Sequence, residues 1–303
     1  VLGGRHARLA RVAAAGLIRG VTVDERIDLH THSNCSDGRL TPVELAALAA
    51  QRQVQLWSLT DHDTVAGCAA AAQASAAHGL RFVPGCELST QWRGRELHVV
   101  GLGVDTRSAT LTTDLAALAS ERARRVRAIG ARLQQAGLPG EALAEELLAR
   151  QASPTRMHLA RRLVELGHAR NPEDAFGRWL GRGKPAAVPF LWPPMAATVA
   201  TILAAGGLPV LAHPHRYKLS NGVLGELCAD FRAAGGAGIE LSLAGMGPQD
   251  AARVASHARR HGLAGSVGSD FHEPGLPWRP LGRFAKLPDG IEPIAAQLLA
   301  RPT

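Results

Sequence analysis

The stretch Ile27-Asp28-Leu29-His30-Thr31-His32-Ser33-Asn34-Cys35-Ser36-Asp37-Gly38 reads as a short apolar strand that runs out into histidines and then an acid–glycine turn. In a strand, residues i and i+2 point to the same side, so His30 and His32 can offer both imidazoles to one metal. The arrangement recurs along the chain. A second apolar run, 55–60, ends in Thr60-Asp61-His62-Asp63, and a third, 81–87, ends in Gly85-Cys86-Glu87. His98 lies inside a fourth, 96–104. The run 208–213 leads through Ala212-His213-Pro214-His215-Arg216, 237–241 follows, and 264–269 passes into Ser269-Asp270-Phe271-His272. Seven strands are therefore expected.

Between many of them lie Ala- and Leu-rich stretches with helical spacing. Thr41-Pro42-Val43-Glu44 has the makings of a helix start, with a Thr cap, Pro at the first position and Glu at the third. Gly79 and Gly262 stand where helices should stop. Strands alternating with helices imply parallel βαβ units and an α/β fold, as an open doubly wound sheet or a closed barrel. Residues 108–190 break this rhythm and read as consecutive helices, about 112–136, 141–151, 155–168 and 172–180. They carry 13 Lys and Arg against 8 Asp and Glu, a net of +5 out of +8 for the whole chain. A basic helical insertion of this kind suits a lid or a substrate-specificity element. The expected organisation is a basic extension over 1–26, a barrel built from 27–107 and 191–303, and the insertion over 108–190.

Composition narrows the class further. Of 303 residues, 46% are hydrophobic and 20% charged, enough apolar material to bury a core, so extensive disorder is excluded. No apolar run reaches the ~18 residues of a membrane-spanning helix. The positive balance suits polyanions, phosphate above all. Cys35, Cys68, Cys86 and Cys228 form no C-x-x-C pair, which points to reduced thiols and a cytoplasmic location. Arg5, Arg8, Arg11 and Arg19 mark the extension as basic, and Arg19 cuts short the apolar run that a secretory signal would need.

A single strand-end histidine means little, but six His, Asp and Glu groups on separate strands are another matter. Sites in barrels and α/β sheets form at the carboxyl ends of strands, where distant loops meet. Burying so many ionisable groups together without a cation would cost several kcal/mol for each unpaired charge. A polynuclear metal site is the economical reading.

The order H-x-H, S-D-G, T-D-H-D, G-x-E, His98 before V-G-L-G, A-H-P and S-D-x-H resembles the PHP phosphoesterases, named for polymerase and histidinol phosphatase. The resemblance runs from Ile27 to about Pro280. The insertion's T-R-M-H-L-A-R-R-L-V and G-K-P, followed by A-H-P-x-R-Y, make it most similar to a bacterial branch with 3',5'-nucleoside bisphosphate phosphatase and 5'-to-3' exoribonuclease activities. That resemblance implies a distorted (β/α)7 barrel with an all-helical insertion. It also implies three divalent metal ions, manganese ahead of iron or zinc. His30, His32, Glu87 and Asp270 would hold the first, Glu87 with His98 and His213 the second, and Asp37, His62 and His272 the third. Arg156, His158 and Lys184 would grip a second phosphate, and Arg216, three residues after His213, would lie close to the metals. Asp270 enters catalysis as a ligand, and His215 and a metal-bound water are the candidates for protonating the leaving oxygen.

The chemistry so implied is attack of a metal-bridged hydroxide on the phosphorus at the 3'-oxygen of a 5'-phosphorylated nucleotide or short RNA, with neither membrane nor protein partner. Three alternatives stand beside it: a small-molecule phosphatase of the histidinol phosphate type, a metal-dependent amidohydrolase, and a non-catalytic, metal-stabilised nucleic-acid-binding module. Trp92, Trp179 and Trp192 could stack a base, with packing the first reading for each.

Overall fold

The computed structural model describes residues 26–275 and 280–301, together with the backbone of a small antiparallel hairpin, Leu17–Ile18 with Val21–Thr22. Arg5, Arg8, Arg11 and Arg19 of the expected basic extension lie outside the described residues. Seven strands form one sheet in sequence order: β1 Ile27–Asp28, β2 Leu56–Leu59, β3 Arg81–Trp92, β4 Arg95–Leu102, β5 Leu208–Leu211, β6 Gly238–Leu243 and β7 Ala264–Gly268. The first and last strands close on each other. Leu29 N–H donates to the Val267 carbonyl at 3.1 Å, and Asp270 N–H to the His30 carbonyl at 2.8 Å. Of the two arrangements open to an alternating pattern, the closed barrel is the one adopted.

One strand departs from the parallel units expected. β4 runs antiparallel to both β3 and β5, while every other neighbouring pair is parallel. The cause is local. No helix separates β3 from β4. Instead β3 continues past Glu87 to Trp92 and turns through Arg93 and Gly94, with φ of 49° and 72°. Two consecutive left-handed residues make the tight hairpin turn that matches strand twist, and glycine takes the second of them without strain. Reversal brings the start of β4 to the barrel end where the other strands finish. His98, paired opposite Ser89, thus joins the strand-end histidines although it lies early in its own strand.

The helices on the barrel's outside begin with α1, Pro42–Gln51. Its capping box is complete: Thr41 Oγ1 accepts from Glu44 N–H, and the Glu44 carboxylate accepts from Thr41 N–H at 2.8 Å. α2 spans Cys68–Ala77. The insertion contains α3 Ala109–Gln135, α4 Gly140–Arg150, α5 Arg156–Glu165 and α6 Pro172–Ala175, the last continued by a π-helical turn, Phe176–Leu180. The expected helix over 172–180 is therefore two pieces. Leu133, Leu143, Leu147, Leu159 and Leu163 give the insertion an apolar core of its own. At about 1.5–3 kcal/mol for each buried aliphatic side chain, that core is enough to hold its helices together. α7 Met195–Ala204, α8 Asn221–Ala233, α9 Pro248–His261 and α10 Ile294–Leu299 complete the outer layer. No helix among the described residues is long and apolar enough to cross a membrane.

Candidate active site

At the barrel end where β1, β2 and β7 finish, eight side chains gather around Glu87, which is buried. Glu87 Oε1 lies 3.0 Å from His98 Nδ1 and 2.8 Å from His213 Nε2. Its Oε2 lies 3.3 Å from both His30 Nε2 and His32 Nε2, and 3.1 Å from His62 Nδ1. Asp270 Oδ1 approaches His30 at 3.4 Å and His32 at 3.2 Å. On the other side Asp37 Oδ1 stands 3.2 Å from His272 Nε2 and 3.9 Å from His62 Nε2. His30, His32, Asp37, His62, Glu87, His98, His213, Asp270 and His272 are thus brought together from six separate chain segments.

The donor set fits metal ions. Three clusters have ligand atoms within 4.8 Å of one another: His32 with Asp37, His62 and His272; His30 with His32 and Glu87; His62 with Glu87 and His98. His30 Nε2 and His32 Nε2 are only 3.0 Å apart, a contact that two lone pairs would not tolerate without a proton or a cation between them. Asp37 Oδ1, His62 Nδ1 and Glu87 Oε2 are buried without a hydrogen bond. Burial alone would raise the Glu87 carboxyl, but His62, His98 and His30 hold it well below the usual carboxylate range. Imidazole and carboxylate with no thiolate suits manganese, iron or zinc.

A layer of carboxylates that sequence reading passed over positions these side chains. Glu240 on β6 accepts from His30 Nδ1 at 2.6 Å and from His213 N–H at 2.5 Å, leaving the far nitrogen of His30 facing the cluster. Asp28 takes the backbone N–H groups of His30, Ser269 and Gly282 at 3.3, 2.9 and 2.8 Å. Asp61 accepts from Ser33 N–H at 2.7 Å and from the hydroxyls of Ser33 and Ser36, both at 2.6 Å. Asp61 stands inside T-D-H-D, a motif already singled out, whereas nothing local marks Glu240. β7 can approach β1 this closely because residue 268 is Gly: a Cβ there would stand 2.5 Å from that of His30. Three residues of the site hold left-handed backbone without being glycine: Asp63 (φ 49°), His213 (φ 30°) and Asp270 (φ 50°).

Beside the cluster lies a cavity of about 260 Å3, lined by ligands on one side and by the insertion on the other. Arg122 and Arg125 reach it from α3 and Arg156 from the start of α5. Arg122 Nε donates to Asp63 Oδ2 at 2.7 Å, and its other nitrogens to Ser89 Oγ and the Pro154 carbonyl. Arg125 and Arg156 share Glu96, at 2.7 and 3.0 Å, and Trp192 Nε1 donates to the same carboxylate at 2.8 Å. Burial opposes the charge on Glu96, yet Arg156 and Arg125 bring its carboxyl down to about 2. Arg216 lines the cavity and pairs with Asp270.

The expected phosphate-binding residues part company here. Arg156 and Arg216 are in the cavity wall. His158 is buried behind it, where its Nδ1 accepts from Thr155 N–H at 3.0 Å while Thr155 Oγ1 donates to Asp37 at 3.0 Å, so it braces a ligand from behind. Lys184 is exposed on the turn after the π-helical segment, away from the cavity lining. His215 sits on the 3-10 turn Pro214–Tyr217, also outside the lining. Burial, then Arg216 and His213, push its imidazole down to about 4. Trp192, read as a packing residue, is buried but presents its ring to the cavity. Trp92 does pack, with its Nε1 on Asp230. Arg122, Arg125 and Glu96 were missed, since on a helix or strand they look like ordinary surface charges.

Residues 28–162 match the PHP domain family. The 3',5'-nucleoside bisphosphate phosphatase of Chromobacterium violaceum is 40% identical over 91% of this chain and 97% of its own. The 5'-3' exoribonuclease Rnm of Escherichia coli is 39% identical over 88% of this chain and 92% of its own. Among solved structures, an amidohydrolase of Chromobacterium violaceum, described with bound sulfate and no metal, superposes with a TM-score of 0.85 at 39% identity, over 91% of this chain and 96% of its own. Similarity of this degree, sustained through barrel and insertion alike, means that the chain belongs to the PHP family.

Proposed function

We propose that the chain is a metal-dependent phosphoesterase acting at the 3'-oxygen of 5'-phosphorylated nucleotides. It would convert 3',5'-nucleoside bisphosphates to 5'-mononucleotides and release 5'-mononucleotides from the 5' end of short 5'-phosphorylated RNA. The observation that carries this reading is the adjacency, in one cavity, of a His/Asp/Glu cluster and arginines already held in position by carboxylates. Relatives named for each reaction support it.

Three ions, manganese first, would be held by His30, His32, Glu87 and Asp270, by Glu87, His98 and His213, and by Asp37, His62 and His272. When bound, divalent ions supply charge neutralisation at phosphorus and a water acidic enough to attack it. The chain's own residues do the rest. Arg125 and Arg156, fixed on Glu96, turn guanidinium edges to the second phosphate, where bidentate pairing gives geometry as well as charge. Arg216 stands between that phosphate and Asp270. Trp192 offers an apolar face to the nucleoside. Glu240, Asp28 and Asp61 keep the ligands from moving as charge shifts in the cluster. As an oxygen of water bonds to phosphorus, the P–O3' bond breaks and its electron pair goes to the 3'-oxygen, which takes up a proton from water.

The name of the solved amidohydrolase raises C–N hydrolysis as a rival. Arg122, Arg125, Arg156 and Arg216 outnumber the carboxylates of Asp63, Glu96 and Asp270 that hold them, an excess of positive charge that fits a phosphate better than a neutral amide. Product analysis with manganese tests the reading. Adenosine 3',5'-bisphosphate should yield 5'-AMP and orthophosphate, and 5'-phosphorylated RNA should yield stepwise 5'-mononucleotides. Turnover of an aryl amide or of histidinol phosphate, with neither nucleotide substrate cleaved, would overturn it.

A further inference from the structure

The cavity over the cluster is open on its far side. Across Glu96, Arg125, Arg156, Trp192 and Arg216 it continues into a second hollow of about 850 Å3. One wall of this hollow is the β3–β4 hairpin, which supplies Arg95, and the other is the segment 180–192, which supplies Arg182, Phe190 and Leu191. Three of its five arginines are committed, Arg125 and Arg156 to Glu96 and Arg216 to Asp270. Arg95 and Arg182 are exposed and make no ion pair among the described residues. Of the apolar groups Leu191 is exposed and Phe190 half-buried. Leu191 is 68% exposed, more than any other large hydrophobic side chain described, although its N–H is fixed on Glu121 Oε1 at 2.9 Å. Phe190 lies parallel to Trp192, with 10° between the rings and 6.5 Å between centroids, and the Arg125 guanidinium lies over both.

Uncommitted guanidinium groups beside held-out apolar faces, in a hollow that starts where a phosphoester site ends, match the make-up of a single-strand nucleic-acid track. Phosphates run along the cations and bases stack on the apolar faces. We propose that this hollow receives the RNA on the 3' side of the scissile phosphate, with Arg95 and Arg182 on its phosphates and Phe190 and Leu191 under its bases. The inference rests on the phosphoesterase reading and adds to it a determinant of substrate length. A bisphosphate occupies the inner cavity alone, whereas a chain occupies both.

The test is the double variant Arg95→Ala/Arg182→Ala, assayed with manganese on adenosine 3',5'-bisphosphate and on a short 5'-phosphorylated oligoribonucleotide. Both positions are exposed and away from the cluster, and turnover of the bisphosphate reports on the fold of the same preparation. With each phosphate contact on a single strand contributing about 0.7 to the salt slope, the log KM against log salt plot for RNA should become shallower by about 1.4, with KM up by about tenfold and that for the bisphosphate within about twofold. RNA kinetics unchanged from wild type, or weakened equally on both substrates, would overturn the inference. So would a wild type that cleaves the bisphosphate but not RNA, and in these cases the phosphoesterase reading stands. A wild type inert on both overturns that reading, and the inference falls with it.

Discussion

The barrel rim and the helical insertion meet at one cavity but are held in place by opposite means. On the rim, buried carboxylates are supported by neutral donors close by: Asp28 by three backbone N–H groups, Asp61 by two serines. In the insertion, cations are supported by carboxylates that belong to the barrel, Arg122 by Asp63 and both Arg125 and Arg156 by Glu96. The rim draws less on the insertion, although Asp37 takes a hydrogen bond from Thr155 and the His62 carbonyl one from Ser153. Arg122, Arg125 and Arg156 find their carboxylates on the barrel, not within the insertion. One region therefore carries most of its own support, and the other supplies a grip that depends on the dock.

The comparison can be broken most sharply on the rim. Asp270→Ala or His32→Ala should lower kcat/KM by at least about 10^3-fold, or roughly 4 kcal/mol, while cooperative thermal unfolding persists. Chelation of wild type should do the same and manganese should reverse it. Retained turnover in either variant would end the assignment of the cluster. At the dock, Arg122→Ala leaves Asp63 buried without its cation and should cost about 3 kcal/mol in urea denaturation. If Arg127→Ala, which loses only an exposed pair with Glu145, costs as much, the special place of the Arg122 contact is lost. Glu240→Gln tests the rim's inner support. Manganese affinity measured by calorimetry should fall about 10–100-fold, and unaltered affinity would mean that His30 is held without it. Lys184→Ala should be the mildest, changing KM for either nucleotide substrate by less than about twofold, as exposed substitutions away from a site generally do. A larger rise in KM would bring Lys184 back to the second phosphate.

The contrast between the two regions also explains what could be read from the sequence. Strand-end motifs such as H-T-H and S-D-F-H carry their geometry with them, because strand alternation and the barrel's common end fix where the side chains go. The seven strands and the convergence of these side chains were therefore legible, while the choice of barrel over open sheet came from the family resemblance. Glu240 was not, because its partners His30 and His213 lie 210 and 27 residues away and nothing beside it in sequence marks the role. Arg125 and Glu96 escaped for the same reason: their meaning is a contact between a helix and a reversed strand. Even the reversal was foreshadowed only by Arg93-Gly94, a turn signal between two runs that otherwise continue the barrel's rhythm.

The left-handed backbone at Asp63, His213 and Asp270 has an evolutionary consequence. Each such conformation costs an L-residue about 1–3 kcal/mol, and Gly or Asn would relieve it. Selection of this protein for heat resistance alone would therefore drift toward Gly or Asn at 213 and 270, gaining melting temperature while dismantling the cluster. Durability and activity pull in opposite directions at these positions, so a stabilising screen needs a turnover readout from its first round.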